Sequence, residues 1–558
     1  MRHIRIIACF AFLCTSTNIY AQLSTNERPI SFDSKLRLIE ASKSTAPVAT
    51  MPELDLSMVE AEDMENEEKG MPFRFGYKHK VHYDLNNSGI WYKLPNGDKL
   101  WQLNVVCPHA LSVNVCYDKF WIPEGGKFFV YSKDRKQSIG AFTSKNNKGD
   151  REHLRGFATE LIYGSDVVLE YYQPNKVSAD AIISLDCIIH GYRNVKAGNG
   201  SLPCMVNINC DEGQKWQNEK HAVARMIIEG TSYGTGSLIN TTNLSEAPFF
   251  LTASHCVTNV GKDALGNPNL DNTLFYWNYE APGCANISGE PSDNFVTHGA
   301  TVIANNSISD FALLRLSEDP KNEVGYTPYY LGWDCSGQSG DSCVCIHHPG
   351  GDVKKISTTN GQPTDYFINW EVAWKSTPNG YGITQGGSSG SPLLNHMHRV
   401  IGQLQGGNVE QVVCNDPNLR CYYGKYNISW TGYGNNSIQR RLNCWLDSLN
   451  TSAQTMEGLL VIRTTKAMNT DQELYSNIRI ANSGQLTVQS NIELKGNSRV
   501  IVESGGQLII DGGTLSNVDL DLKAGSTLRI INGGVIDTSN GFKAPLGATV
   551  DVVYGQIM

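Results

Sequence analysis

Gly387-Ser388-Ser389-Gly390-Ser391-Pro392 is the stretch from which the rest of the chain can be read. Two glycines bracket a serine pair, as suits a strained loop that other residues enter only at a cost. A serine hydroxyl becomes a useful nucleophile only with a base within hydrogen-bond reach. Upstream, Leu251-Thr252-Ala253-Ser254-His255-Cys256 offers His255, and Ser309-Asp310-Phe311-Ala312-Leu313-Leu314 offers Asp310. Each motif adjoins an apolar run (249–251, 311–316 and 393–394), as expected of buried strands that hold loop ends. The expected roles are Ser389 as nucleophile, His255 as general base and Asp310 as the carboxylate that fixes the imidazole tautomer. The N–H groups of Gly387 and Ser389 would face the developing oxyanion. A cysteine nucleophile is the rival, but no cysteine sits in an activating motif.

The order His, Asp, Ser is that of chymotrypsin-like enzymes, not of subtilisin-like or α/β-hydrolase ones. The match narrows further along the chain. Cys204-Met205-Val206-Asn207-Ile208-Asn209-Cys210, Gly236-Ser237-Leu238-Ile239-Asn240 and Tyr276-Trp277-Asn278-Tyr279 lie in the first half of the segment. Ile346-His347-His348-Pro349, residues 400–407, Ser429-Trp430-Thr431-Gly432 and Trp445-Leu446-Asp447 follow. Through these motifs, residues 204–446 resemble the lysyl endopeptidase family of secreted bacterial serine proteases. The resemblance implies a two-β-barrel fold with the site between the barrels, and a polypeptide substrate paired with Leu404, Gln405 and Gly406. It also implies disulfides Cys204–Cys414 and Cys210–Cys284.

Departures from the family pattern concern specificity. The family aspartate that receives the lysine side chain corresponds to Cys421 in Cys421-Tyr422-Tyr423-Gly424-Lys425, and a family histidine is replaced by Gln405. Six residues before Ser389 stands Ile383, so the trypsin solution is missing too. A buried lysine head group without an anion is costly, which leaves lysine preference open. Asp416 and Glu410 are the acids on the neighbouring loop. The family's third bridge would join Cys256 to a position that here is Gly234. His347 and His348 have no acidic or cysteine partner at metal-ligand spacing, so no metal and no cofactor are expected.

The chain has 558 residues and a net charge of −9 spread along its length, which argues against a nucleic-acid partner. Residues 1–21 read as a secretory signal: Arg2 and Arg5, an apolar stretch from Ile6 to Leu13, and Ala21 at the cleavage point. No later segment is apolar enough to span a membrane, so secretion is expected. Thirteen of the 15 cysteines follow the signal, and in an exported chain they read as a disulfide framework with one left over. Cys107 and Cys116 are candidates to join adjacent strands, and Cys414 and Cys421 to close a small loop.

The expected organisation is mainly β. Residues 22–72 read as a flexible acidic segment and 73–200 as a β-rich propeptide domain, with Lys196 the candidate processing point. Residues 201–452 form the double-barrel protease domain, ending in a helix carrying Ile438, Leu442, Trp445, Leu446 and Leu449. A linker, 453–469, leads to a short β-solenoid, 470–558, in which Gly484-Gln485-Leu486-Thr487-Val488 recurs as Gly506-Gln507-Leu508-Ile509-Ile510 and as Gly525-Ser526-Thr527-Leu528-Arg529-Ile530. Roughly four coils fit. The solenoid is a candidate contact for a cell surface or another protein. A rival reading makes the chain a non-catalytic secreted binding or adhesion protein that uses the solenoid and the β-rich N-terminal domain. All three triad members being present favours the protease.

Overall fold

The computed structural model describes residues 27–33, 47–194, 196–258, 260–262, 268–287, 289–291, 295–323, 325–408, 413–414, 416, 418–538 and 541–558. The signal expected at 1–21 and the acid Glu410 lie outside them. The architecture is mainly β, with a double barrel between a β-rich N-terminal part and a β-solenoid.

Two sheets make the N-terminal part. One runs in the order Val48–Thr50, Lys99–Val106, Asp166–Gln173, Lys127–Ser132, Ser138–Phe142, and the other Ile162–Tyr163, Ser112–Trp121, Ile182–Gly191, Gly76–Asp84. Alternation along Lys99–Val106 turns Trp101, Leu103 and Val105 inward, where they share a core with Val115, Phe120 and Ile188 of the second sheet. The acidic stretch expected to be flexible contains a helix, Leu56–Glu68, instead. Asp55 caps it, accepting from Ser57 N and Met58 N at 3.1 and 3.3 Å. Its Asp63 is buried and held by Arg74 and Arg193, so the acid that made the segment look solvated is neutralised by long-range partners.

The first barrel sheet runs Phe295–His298, Leu274–Trp277, Val223–Ile228, Ser232–Leu238, Phe249–Ala253, Phe311–Leu316, Ala300–Asn306, and the strand Phe73–Arg74 adds to Ser232–Leu238. The second runs Val206–Asn207, Lys355–Thr358, Cys343–His347, Pro392–Asn395, Arg399–Gly407, Cys421–Lys425, Asn369–Val372, Thr364–Tyr366. Buried Asp352 fastens the approach to the first barrel, accepting from Gly198 N at 2.6 Å and from Ser201 N and Oγ at 3.1 and 2.5 Å.

Both disulfides implied by the resemblance are present, Cys204–Cys414 and Cys210–Cys284. The wider framework is not: nine cysteines among the described residues are free, eight of them buried as small apolar side chains. Cys116 faces Cys187 across the ladder, not Cys107, and Cys414 is not joined to Cys421. A Cβ built on Gly234 would lie 3.4 Å from Cys256 Sγ, so this glycine stands where the missing bridge would form. The helix expected at the end of the protease is broken into Ile438–Arg440 and Asn443–Leu446. Leu442 and Leu446 are buried, whereas Ile438 and Leu449 are exposed.

The solenoid has about five turns, not four. Its parallel stack begins at Gly458–Ile462, inside the stretch expected as a linker, because that first coil lacks the Gly-initiated repeat. Leu486, Leu508 and Leu528 stack in register, all fully buried. The stack is continuous with the double barrel: Tyr329–Tyr330 pairs with Gly458–Ile462, and Glu246 of the first barrel accepts from Arg479 Nη1 at 3.0 Å and binds Arg463. One apolar core runs from Trp277 and Leu313 through Tyr329 and Leu459 to Leu508. A chain ending at Ser452 would expose this shared surface. It is expected to melt well below the full chain in a thermal scan, and an unchanged transition of the barrels would contradict a shared core.

Candidate active site

The site forms where the barrels meet. Asp310 immediately precedes the strand Phe311–Leu316 and has φ +53°, a left-handed conformation unusual for a residue other than glycine. Its carboxylate grips His255 twice. Oδ2 lies 2.7 Å from His255 Nδ1, and Oδ1 accepts the His255 backbone N–H at 2.9 Å. Ser254 N donates to the Asp310 carbonyl at 3.0 Å. These contacts assign the Nδ1 proton to the Asp310 side, which makes Nε2 the unprotonated nitrogen of the neutral ring. Burial works against a charged His255, but Cys256 and the Asp310 carboxylate reverse this and hold the imidazole well above the usual histidine range.

Ser389 sits in the loop between Gly387, φ +90°, and Gly390, φ +84°. Gly390 has a second reason to be glycine: a Cβ there would come 2.2 Å from Thr252 Oγ1 and 2.5 Å from the Thr235 carbonyl. Thr235 fastens this loop to the first barrel. Its N–H donates to the Ser389 carbonyl at 2.9 Å, and its hydroxyl donates to the Gly387 carbonyl at 2.8 Å. The same hydroxyl accepts His348 N at 3.1 Å. Cys256, the neighbour of His255, brings its Sγ within 3.9 Å of the Ser389 carbonyl, so serine loop and histidine turn share one corner. Among the described residues, the N–H groups of Gly387 and Ser389 have no hydrogen-bond partner. They are free donors beside the serine.

The second barrel braces the loop from behind. Ser388 Oγ lies 2.8 Å from His347 Nδ1, and His347 Nε2 lies 2.9 Å from Ser357 Oγ. Burial pushes the His347 imidazole down to about 3, so it is a neutral strut at physiological pH. His348 Nδ1 faces the Asp352 carbonyl at 2.9 Å. Gly350 N donates to the Gly386 carbonyl at 2.6 Å, and buried Arg225 Nη1 donates to the Gly351 carbonyl at 2.9 Å. Neither Thr235 nor the His347–Ser388 contact was foreseen from sequence. A threonine in a strand carries no local signal of a partner more than 150 positions away.

Leu404 exchanges backbone hydrogen bonds with the serine loop, accepting from Gly390 N and donating to the Ser391 carbonyl, each at 2.9 Å. The ladder with Cys421–Lys425 slips between Leu404 and Gly406, leaving Gln405 exposed at the bulge, with Asn369 Nδ2 donating to its Oε1 at 2.5 Å. A Cβ on Gly406 would meet nothing within 4 Å, so the space on its side-chain face is open. Cys421 is fully buried. Its thiol accepts from Trp374 Nε1 at 3.0 Å and lies 3.0 Å from Thr384 Oγ1, within a cluster that includes Ile383, Leu404 and Tyr423. Burial raises its pKa, which keeps it a neutral thiol. Asp416 is engaged locally, with Oδ1 accepting from Asn418 N at 2.8 Å.

Thr235→Val keeps the volume and the N–H but removes the hydroxyl, stranding the Gly387 carbonyl in a buried seam. The expected cost is roughly 1–3 kcal/mol, read as a melting temperature several degrees below wild type. An unchanged melting temperature would show that the hydroxyl does not hold the seam.

Residues 198–424 match the family model described as lysyl endopeptidase, C-terminal domain. A lysyl endopeptidase of Pseudomonas aeruginosa is 30% identical over 226 residues, covering 39% of this chain and 46% of that protein. The chain thus spans under half the length of that relative. Among solved structures, the active form of the Rv3671c protease from M. tuberculosis aligns at 15% identity and a TM-score of 0.26, over 40% of this chain and 86% of that one. A Glu endopeptidase aligns at 19% identity and a TM-score of 0.25, over 37% and 85%. Residues 198–424 of this chain are thus similar to the C-terminal domain of lysyl endopeptidase.

Proposed function

We propose that the chain is the exported precursor of a serine endopeptidase in which Ser389 attacks the peptide carbonyl. His255 Nε2 takes the serine proton and returns it to the leaving amine, forming an acyl-enzyme that water then hydrolyses. Asp310 holds the tautomer and stabilises the imidazolium. The Gly387 and Ser389 N–H groups receive the oxyanion, and the edge at Gln405 and Gly406 pairs with the substrate backbone, Leu404 being already bonded to Gly390 and Ser391. The observation that carries this reading is the 2.7 Å contact of His255 Nδ1 with Asp310, at the corner where Thr235 anchors the Ser389 loop.

The residue before the scissile bond is proposed to be uncharged. Cys421 offers a neutral thiol, already paired with Trp374 and Thr384, where a lysine ammonium would need a carboxylate. Processing after the exposed Lys196 would then fall to another protease rather than to self-cleavage.

Ser389→Ala should lower peptidase activity by roughly a thousandfold or more, measured on a denatured protein substrate; near-wild-type turnover would refute the assignment. Because the base must be neutral, activity is lost as pH falls through the raised His255 value. The acid limb of kcat/KM should therefore lie above about 6.5, the ordinary histidine value. A limb below that value would contradict the upward shift that Cys256 and Asp310 together give His255. Cleavage sites read by mass spectrometry should follow uncharged residues, and strict cleavage after lysine would overturn the reading of Cys421.

A further inference from the structure

A cavity of about 440 Å³ lies where the first coil of the solenoid meets the first barrel. Its barrel side carries Lys220, His221 and Tyr326, and its solenoid side Arg463, Lys466 and Gln472. Its size is that of a small-molecule site. No aspartate or glutamate is among the described residues that line it, although the chain as a whole is acidic.

Lys466 is out of place in the solenoid. The strand Thr465–Met468 begins one of the stacked sheets, and its register aligns Lys466 with Leu486, Leu508, Leu528 and Val550 of the later coils. Aligned residues of a parallel ladder point to the same face. Leu486, Leu508 and Leu528 are fully buried in the core, so Lys466 occupies a core-facing position. Met468, two residues on, keeps the apolar pattern that continues through Val488, Ile510 and Ile530. Only the first coil puts a charge on the inner column. Among the described residues, the partly buried Lys466 side chain has no ion pair and no hydrogen bond. Burial alone pushes its ammonium below the usual lysine range.

The other cations of the cavity are already engaged. Lys220 Nζ donates to Glu280 Oε1 at 2.6 Å and to Asn209 Oδ1 at 2.8 Å, and Arg463 binds Glu246. Burial and the nearby Lys354 push the His221 ring down to about 4, so it is neutral at physiological pH. One uncompensated ammonium remains, and withdrawing it from water without an anion is costly. A monoanion balances that charge, whereas a phosphate dianion would not. Around it, the side chains of Asn218, Thr327, Thr464 and Gln472 make no hydrogen bond among the described residues. These amides and hydroxyls suit a ligand that carries hydroxyl groups. We propose that the cavity between barrel and solenoid binds a small hydroxylated carboxylate of the sugar-acid class, with its carboxylate on the Lys466 ammonium and its hydroxyls on the free amides. This binding is independent of Ser389.

The test titrates the full chain by isothermal calorimetry with glucuronate, glucose, inorganic phosphate and a glucuronate trisaccharide. Glucuronate should bind at one site per chain. Glucose, which lacks the carboxylate, should bind about tenfold or more weakly, the loss of one charge-assisted contact. Lys466→Met, apolar like the rest of its column, and Lys466→Gln, polar but uncharged, should each weaken glucuronate to the same extent. Both variants should melt at or above the wild-type temperature, because an ammonium without a counter-ion has been removed. Ser389→Ala should bind glucuronate as the wild type does. Tighter binding of the trisaccharide would assign the carboxylate to an acidic polysaccharide, and equal or weaker binding to a free sugar acid; either supports the site. Absence of glucuronate binding, equal binding of glucose, tighter binding of phosphate, or unchanged affinity in both Lys466 variants would overturn the inference. Lys466 would then be a side chain that only reaches water through the cavity.

Discussion

Thr235 ties two sheets of different origin together, and the geometry of the site depends on that tie. Its N–H and hydroxyl bind the carbonyls of Ser389 and Gly387, while its own carbonyl accepts from Thr252 at 2.8 Å. Thr252 lies on the strand Phe249–Ala253, which leads straight into His255. One fully buried residue therefore relates the serine loop of the second barrel to the histidine turn of the first. The approach is so close that only glycine fits at position 390. Buried polar groups of this kind tolerate no partial satisfaction, which makes the seam specific as well as tight.

Around the seam, each barrel adds a brace with its own chemistry. Asp310 uses a left-handed backbone and both carboxylate oxygens to hold His255 by ring and backbone at once. His347 holds Ser388 as a neutral acceptor or donor between two hydroxyls, a role that burial enforces by excluding its charged form. The solenoid and the N-terminal sandwich are packed on the barrels through continuous strands and shared apolar cores, not tethered by linkers. Three regions of different architecture thus depend on one another for burial.

Much of this was legible in the sequence, and the reasons differ by feature. The motifs at His255, Asp310 and Ser389 could be found because loop chemistry concentrates in a few adjacent residues beside apolar strands. The pairs Cys204–Cys414 and Cys210–Cys284 followed from the family resemblance. The solenoid showed itself through its Gly-initiated repeat, but its first coil lacks that repeat and was read as a linker. The helix Leu56–Glu68 was hidden because its acids suggested solvation, whereas Asp63 is neutralised by Arg74 and Arg193. Free cysteines were overcounted as bridges because burial in separate cores cannot be read from spacing. Thr235 had no signature of any kind, since its partners are set by the meeting of the two barrels.

The most direct test is to trap the acyl-enzyme. The full chain would be mixed with an activated aryl ester at mildly acidic pH, where deacylation is slow, then digested and mapped by mass spectrometry. The account predicts one acyl group, located on Ser389 and absent from the Asp310→Asn variant on the same timescale. An adduct on another residue, or none on Ser389 in a correctly folded chain, would contradict it.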